Sequence, residues 1–312
     1  MTVVANANDV GSGLESVSGK AGKIMAVFLS FVITTRNKKE MLAEMLESVI
    51  GSLMHDEEVI VIDSNSSDGT PEYLTTLCNE GLISFFTSEP DVGEAHGFNK
   101  GILRARGEYI KILSDDDVYD WGLVRAIKNW LKLNYIDVLF TNGLTSTVDE
   151  TATPLEYSSE FERWRTTRDP FAFCGLGLFI RKDSLPLVGL FSTSFKRVDA
   201  EFSLRLTAMR ANVILGFSPQ YVWLRRLNPA SNSVRLKTEI RDEMLLLLLI
   251  YTKITGSIRW ILKRKLYKPA KIIKINTPNL MILNYGDSLS ALEEANKWDT
   301  TLPLCISSAD AQ

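Results

Sequence analysis

The segment Glu108-Tyr109-Ile110-Lys111-Ile112-Leu113-Ser114-Asp115-Asp116-Asp117-Val118-Tyr119-Asp120 constrains this chain more than any other. An alternating apolar strand runs straight into three adjacent carboxylates. Like charges at neighbouring positions repel, so a fold tolerates them where a cation neutralises them or water screens them. A hard divalent cation such as Mg²⁺ or Mn²⁺ prefers carboxylate oxygens and often completes its shell with substrate phosphates. In an open α/β sheet the ligand crevice lies at the carboxyl ends of the strands, where this triplet falls. The alternative is a strand-end turn that caps the next helix, since Asp is a good N-cap. On these residues alone the two readings stand level.

The chain has 312 residues, enough for one large domain or two modest ones, and a formal net charge of −3. A chain without a basic field is not expected to bind nucleic acid. Basic residues do gather locally, at Arg259, Lys263, Arg264, Lys265, Lys268, Lys271 and Lys274, with no acid among them. Cys78, Cys174 and Cys305 are odd in number and far apart, unlike a disulfide framework or a zinc site, and they fit a reducing cytoplasm. Residues 1–24 are small and polar, without the plan of a signal peptide, and read as a flexible tail. No apolar run reaches the roughly 20 residues that span a bilayer.

Met25 to Thr34 is apolar and β-branched and reads as a strand buried on both faces. The loop Thr34-Thr35-Arg36-Asn37 leads into a helix over 38–51, with Met41, Leu42, Met45, Leu46, Val49 and Ile50 at helical spacing. A second strand, 58–63, ends at Asp63 and is followed by a helix with Thr70 as N-cap and Pro71 at its first position. Repetition of strand, loop and helix predicts a doubly wound α/β sheet. A short strand over 82–87 precedes a helix over 93–106, in which Gly97 and Gly101 share one face and allow close backbone approach. A helix over 121–133 and a strand over 136–141 follow the triplet. Residues 143–170 lose periodicity and read as a surface excursion or a variable acceptor-side segment, and 171–180 as a strand. A helix over 198–210, strands over 213–217 and 221–226, and a long helical stretch from Ser231 complete the reading.

These segments together resemble a family 2 glycosyltransferase of the GT-A fold, a Rossmann-like mixed sheet flanked by helices. The resemblance rests on Val32-Ile33-Thr34-Thr35-Arg36-Asn37, on Val59 to Thr70, on Asn99-Lys100-Gly101 with Ala105 to Ile110, on Leu113 to Tyr119, and on Asp199 to Leu206. It covers about residues 26–235. It implies a glycosyltransferase domain over 25–230, with a nucleotide-binding half (25–120), an acceptor-side half (121–230), and a C-terminal helical, partly basic extension (231–312).

The resemblance implies inverting transfer of a sugar from a nucleotide-diphosphate donor to a hydroxyl of a glycan or lipid-linked acceptor. Thr34, Thr35, Arg36 and Asp63 match the residues that grip the base in the family, Lys100 is also placed on the nucleotide, and Asp115 matches a neighbour that contacts the ribose or supports the metal. Asp116 matches the metal-binding carboxylate, Asp117 extends the cluster, and Mn²⁺ or Mg²⁺ is the implied cofactor. Inversion needs a base for the acceptor hydroxyl, and alignment on Leu204-Arg205-Leu206 puts Asp199 there, with Glu201 as fallback.

Two departures stand out. Ser114 occupies the first position of the usual Asp-x-Asp pair, and Asn228 stands where many relatives carry a histidine near the diphosphate. Arg225 and Arg226 are then expected to carry phosphate charge. A nucleotidyltransferase would open with a glycine-rich loop, which Thr34-Thr35-Arg36-Asn37 is not. The remaining alternative is a non-catalytic scaffold that works as a binding module. The basic run within 256–275 suggests an interfacial helix on an anionic membrane, hence a peripheral position on the inner face of the plasma membrane, or else a solvated face.

Overall fold

The computed structural model describes residues 3–6, 26–146, 152–209, 213–226, 228, 231, 235–252 and 305–307. The chain divides into two compact units, Met1–Asp115 with Ile180–Asp183, and Asp116–Phe179 with Ser184–Gln312.

In the first unit the strands are β1 (Val3–Asn6), β2 (Leu29–Thr35), β3 (Glu57–Asp63), β4 (Phe85–Ser88) and β5 (Tyr109–Ser114). The helices are α1 (Lys39–Gly51), α2 (Thr70–Asn79) and α3 (Glu94–Arg104). β2 pairs in parallel with both β3 and β5, and β3 in parallel with β4, while β1 adds antiparallel to β4. Successive side chains of β2 and β3 are buried, so both faces of these strands are covered, which is why they read as continuous apolar runs. Val3–Asn6 lies in the stretch read as a tail, and here forms an edge strand.

α3 packs closely on this sheet because of its glycines. A Cβ on Gly101 would come 2.4 Å from Val32 Cγ1, and one on Gly97 2.8 Å from Thr34 Cγ2. Two readings shift locally. Thr70 is the first residue of α2 rather than its cap. The cap position is Gly69 at φ 86°, and the Thr70 hydroxyl donates to Asp68 Oδ1 at 2.6 Å. The fourth strand begins at Phe85 rather than Leu82.

The second unit contains β6 (Val118–Tyr119), α4 (Trp121–Leu131), β7 (Val138–Ser146), β8 (Ala152–Leu155) and α5 (Ser158–Thr167). The three-residue strand β9 (Phe179–Arg181) straddles the division of the chain. Then come α6 (Leu185–Val188), α7 (Val198–Ala208), β10 (Leu215–Arg225), α8 (Lys237–Tyr251) and β11 (Cys305–Ser307). β7 and β10 are parallel; β6 and β11 pair antiparallel with β10, and β8 with β7. Phe140 of β7 stacks on Phe173 at 4.1 Å between ring centroids, with Phe161, Phe171 and Phe217 around it. α8 packs Leu247 and Leu248 against Ala200 and Leu204 of α7.

Three expectations are corrected in this unit. The stretch 143–170 is not a bare excursion: β7 continues to Ser146, and β8 and α5 follow. Only Phe161 and Trp164 of α5 are buried, too few to produce a visible helical period. Residues 171–178 are not a strand. The Phe171 and Phe173 N–H groups donate to the Thr207 and Ser203 hydroxyls of α7, both at 3.1 Å, rather than to a neighbouring strand. The two strands expected over 213–226 are one, β10. Its register shifts near Pro219, which has no N–H to offer the ladder.

Replacing Gly101 by Ala forces a methyl group onto Val32. We expect a loss of about 1–3 kcal/mol in unfolding free energy, read as a lower urea midpoint at unchanged slope.

Candidate active site

In the first unit the loops after β2 and β3 are laced together. Ser64 N–H donates to Thr35 O at 2.9 Å, Asn37 N–H to Ser66 Oγ at 2.7 Å, and Ser67 N–H to Asn37 Oδ1 at 2.8 Å. Asn37 and Asn65 take left-handed φ of 51° and 57°, a conformation asparagine tolerates. Lys39 N–H donates to Asp68 Oδ2 at 2.9 Å. Burial tends to raise the Asp68 carboxyl, but hydrogen bonds from Thr70 and from the Lys39 and Thr70 backbones outweigh it and hold the group below its ordinary value.

Asp63 ends β3 fully buried, and its oxygens face the protein. Oδ2 accepts from Ser66 N–H at 2.9 Å and from Ser88 Oγ at 2.5 Å, and Oδ1 accepts from Ser66 Oγ. Thr34 is half-buried, Thr35 buried and Arg36 exposed. Lys100 pairs with Glu89 at 2.8 Å. His96, on α3, accepts from Val92 N–H at 3.4 Å. Asp115, 4% exposed, pairs with Lys38 Nζ at 2.8 Å. Sequence reading did not single out Lys38; its signal was a cation one residue past the Thr34–Asn37 loop.

In the second unit Asp116 and Asp117 are also buried. They do not cap the next helix: that role falls to Asp120, whose Oδ1 accepts from Leu123 N–H at 2.9 Å. Asp116 Oδ2 accepts from Asn228 Nδ2 at 2.5 Å, and its carbonyl accepts from Arg226 Nε at 2.5 Å. Asp117 Oδ1 accepts from Arg226 N–H at 2.9 Å. Arg225 reaches Thr145 Oγ1 at 3.2 Å. The structure therefore sets Arg226, Asn228, Asp116 and Asp117 against one another, although more than a hundred residues separate them in the chain.

Asp199 and Glu201 both lie inside the first turn of α7, where negative charge suits the helix dipole. Their surroundings differ. Glu201 is buried, pairs with Arg205 Nε at 2.9 Å and accepts from the Tyr251 hydroxyl at 2.7 Å. Burial and that bond push the Tyr251 phenol up to about 12. Asp199 is half-buried; Oδ1 accepts from Ala200 N–H at 2.7 Å and Oδ2 from Gly175 N–H at 3.4 Å.

A Cβ on Gly175 would stand 3.3 Å from Asp199 Cβ, so glycine lets this loop close on the aspartate. Cys174 N–H donates to the Tyr157 hydroxyl at 3.0 Å. Burial holds the Tyr157 phenol well above its ordinary value and raises the Cys174 thiol. Neither Tyr157 nor Gly175 was named as a site residue from sequence; Gly175 and Gly177 in an apolar stretch were the available sign. The basic segment 256–275 lies outside the described residues.

A family comparison and structural comparisons bear on both units. The sequence profile of Glycosyl transferase family 2 matches residues 30–185. The poly-β-1,6-N-acetyl-D-glucosamine synthase of Staphylococcus epidermidis is 32% identical over 92 residues, 30% of this chain and 22% of that protein. The chain thus matches only about a fifth of that relative's length. Among solved structures, the mannosyltransferase PcManGT of Pyrobaculum calidifontis, in complex with GDP-Man and Mn²⁺, aligns with a TM-score of 0.54. Identity is 18%, over 88% of this chain and 76% of that one. S. aureus TarS 1-349 in complex with UDP-GlcNAc aligns with a TM-score of 0.50 at 17% identity, over 77% and 78% of the two chains. These likenesses show the fold, which is of the GT-A type. The profile match over half of the sequence places the chain in glycosyltransferase family 2.

Proposed function

We propose that the chain transfers a sugar, with inversion, from a nucleotide-diphosphate sugar to a hydroxyl of a glycan or lipid-linked acceptor, with Asp199 as general base. The observation that carries this reading is the contrast inside one helical turn. Glu201 is committed to Arg205 and Tyr251. Asp199 is half-exposed and, among the described residues, held by backbone N–H groups alone. As the acceptor oxygen attacks the anomeric carbon, Asp199 takes its proton, the bond to the diphosphate breaks, and the configuration inverts. Arg225 and Arg226 supply cationic charge for the phosphates. The names of the S. epidermidis relative and of the TarS and PcManGT complexes support a glycan acceptor and a UDP or GDP donor.

A divalent cation, Mn²⁺ or Mg²⁺, is part of the proposal. Among the described residues no group of three or more His, Cys, Asp or Glu is arranged to hold a metal. The chain does set the Asp116 carboxylate beside the Asn228 amide, whose nitrogen donates to it and whose oxygen is the hard ligand atom. That fits a cation bound by one or two protein ligands and otherwise by phosphate and water. When bound, it would neutralise charge on the departing diphosphate. Asp117 stands next to this pair through the Arg226 backbone.

We further propose peripheral attachment to the inner, anionic face of a membrane. No helix among the described residues is long and apolar enough to cross one. α8 exposes Leu245, Leu246 and Ile250 just before the basic run. Each basic residue near such a surface adds about 1 kcal/mol. Deleting residues 256–275 is expected to move the protein from the membrane to the soluble fraction; an unchanged distribution contradicts the attachment.

The transferase reading makes two expectations. A nucleotide diphosphate at 100 times its dissociation constant should stabilise the protein by about 2.7 kcal/mol. This rise in melting temperature should require Mn²⁺ or Mg²⁺ and vanish in Asp116→Ala. Asp199→Asn should keep nucleotide binding and lose about 10²–10⁴-fold in kcat. Undiminished turnover in Asp199→Asn removes it as base. Absence of nucleotide binding by the folded protein favours the non-catalytic scaffold.

A further inference from the structure

The N-cap of α7 is Arg197, and its side chain makes no capping bond. Helix starts favour Ser, Thr, Asp or Asn at that position, because the first N–H groups have no acceptor inside the helix. Here an acceptor comes from α8, 46 to 47 residues further on. Glu243 Oε2 accepts from Lys196 N–H at 2.8 Å and from Arg197 N–H at 3.0 Å. One turn earlier in α8, Glu239 pairs with the Lys196 ammonium; one turn later, Leu247 packs with Leu248 on Ala200 and Leu204. One turn further still, the Tyr251 hydroxyl donates to Glu201 Oε1 at 2.7 Å. Glu239, Glu243, Leu247 and Tyr251 are spaced by four and so lie along one side of α8. That side is fitted to α7 from its cap to Glu201. Within it the Lys196–Glu239 pair is exposed at both ends and contributes little, whereas Glu243 is half-buried and serves two N–H groups.

We infer that Glu243 is a positioning residue for the proposed transfer: it fixes the start of α7 and, through it, the direction in which Asp199 points. The inference rests on the reading of Asp199 as general base. Asp199 is the second residue of α7. Its carboxylate is engaged by the Ala200 N–H of the same turn at 2.7 Å and by the Gly175 N–H at 3.4 Å, so its aim follows that turn. Removing Glu243 takes a charge-assisted acceptor from two N–H groups. A first turn whose N-cap side chain makes no bond then frays. Displacing a reacting group by about 1 Å can cost about 10²-fold in rate. Tyr251 and Arg205 meanwhile engage Glu201, the other acid of the turn. The stripe on α8 therefore treats the two acids differently: Glu201 is anchored and Asp199 is aimed.

The test uses the full chain with Mn²⁺ and a panel of UDP- and GDP-sugars that includes UDP-GlcNAc and GDP-mannose. Water stands in as acceptor, and nucleotide release is counted per nucleotide-binding site, by calorimetry. Glu243→Ala is expected to lower kcat about tenfold or more, with donor KM and binding stoichiometry unchanged. Glu243→Gln keeps an acceptor oxygen for both N–H groups and should restore most of the rate. Glu239→Ala, which removes only the exposed pair, should turn over near wild type. In an Asp199→Asn background, Glu243→Ala should add little further loss, because both changes act through one group. Amide exchange over 196–201 should quicken about tenfold or more in Glu243→Ala and stay slow in Glu243→Gln. A folded Glu243→Ala with wild-type kcat or wild-type exchange overturns the inference and leaves Asp199 standing as base. So does a folded Glu243→Asp, one methylene shorter in reach, with both at wild-type values. An equal loss in Glu239→Ala, or an additive loss in the double variant, has the same consequence. Undiminished turnover in Asp199→Asn, or a folded wild type that releases nucleotide from no donor of the panel, overturns the base reading itself, and this inference with it.

Discussion

Three consecutive carboxylates, each almost wholly buried, are tolerable only if each meets a donor inside the protein. Lys38 meets Asp115 in the first unit; Asn228 and the Arg226 backbone meet Asp116 and Asp117 in the second. One of the three points at which the chain passes between the units, Asp115 to Asp116, thus lies within this triplet. Such pairs are costly to break from one side, because the remaining charge is left buried. Lys38, Arg226 and Asn228 are therefore tied to the triplet whatever ligand it serves.

A second constraint is the approach of α3 to β2. Gly97 and Gly101 leave no room for side chains against Thr34, Val32 and Ile62. The helix start and the Asp91 turn before it are consequently held against the ends of β2 and β3. The missing methyl at Gly97 lets the helix sit down and also leaves Asp91 next to Thr34. In the second unit Gly175 plays a comparable part beside Asp199, and the hydroxyls of Thr207 and Ser203 hold the backbone that leads to it.

Much of this was legible in the chain itself. Parallel strands buried on both faces announce themselves as unbroken apolar runs, so β2, β3 and β5 were readable to within a few residues, as were α1, α2 and α3. α5 was not, since only Phe161 and Trp164 face inward. The stretch before Gly175 looked like a strand because aromatic residues alternate there. Its N–H groups, however, are satisfied by side chains of α7, which lies about thirty residues further on. The cap of α4 was assigned to the triplet as one of two readings; Asp120, three residues later, takes it.

The sequence by itself determined the family and the α/β architecture, because periodicity and turn residues are local properties and the order of motifs is a property of the chain. It also brought forward Asp116, Asp199 and Asn228 as residues of interest. Only the tertiary structure decided what each carboxylate faces. The hydrogen-bond partners of Asp63 and Asp91, or of Asp199 and Glu201, are not visible when the chain is read in line. Partners distant in sequence separate them: Ser88 turns Asp63 inward, Ser64 steadies Asp91, and Arg205 with Tyr251 engages Glu201. Asp199 is left half-exposed beside Gly175. Hydrogen bonding and burial are set by long-range contacts, and residue type alone does not encode them.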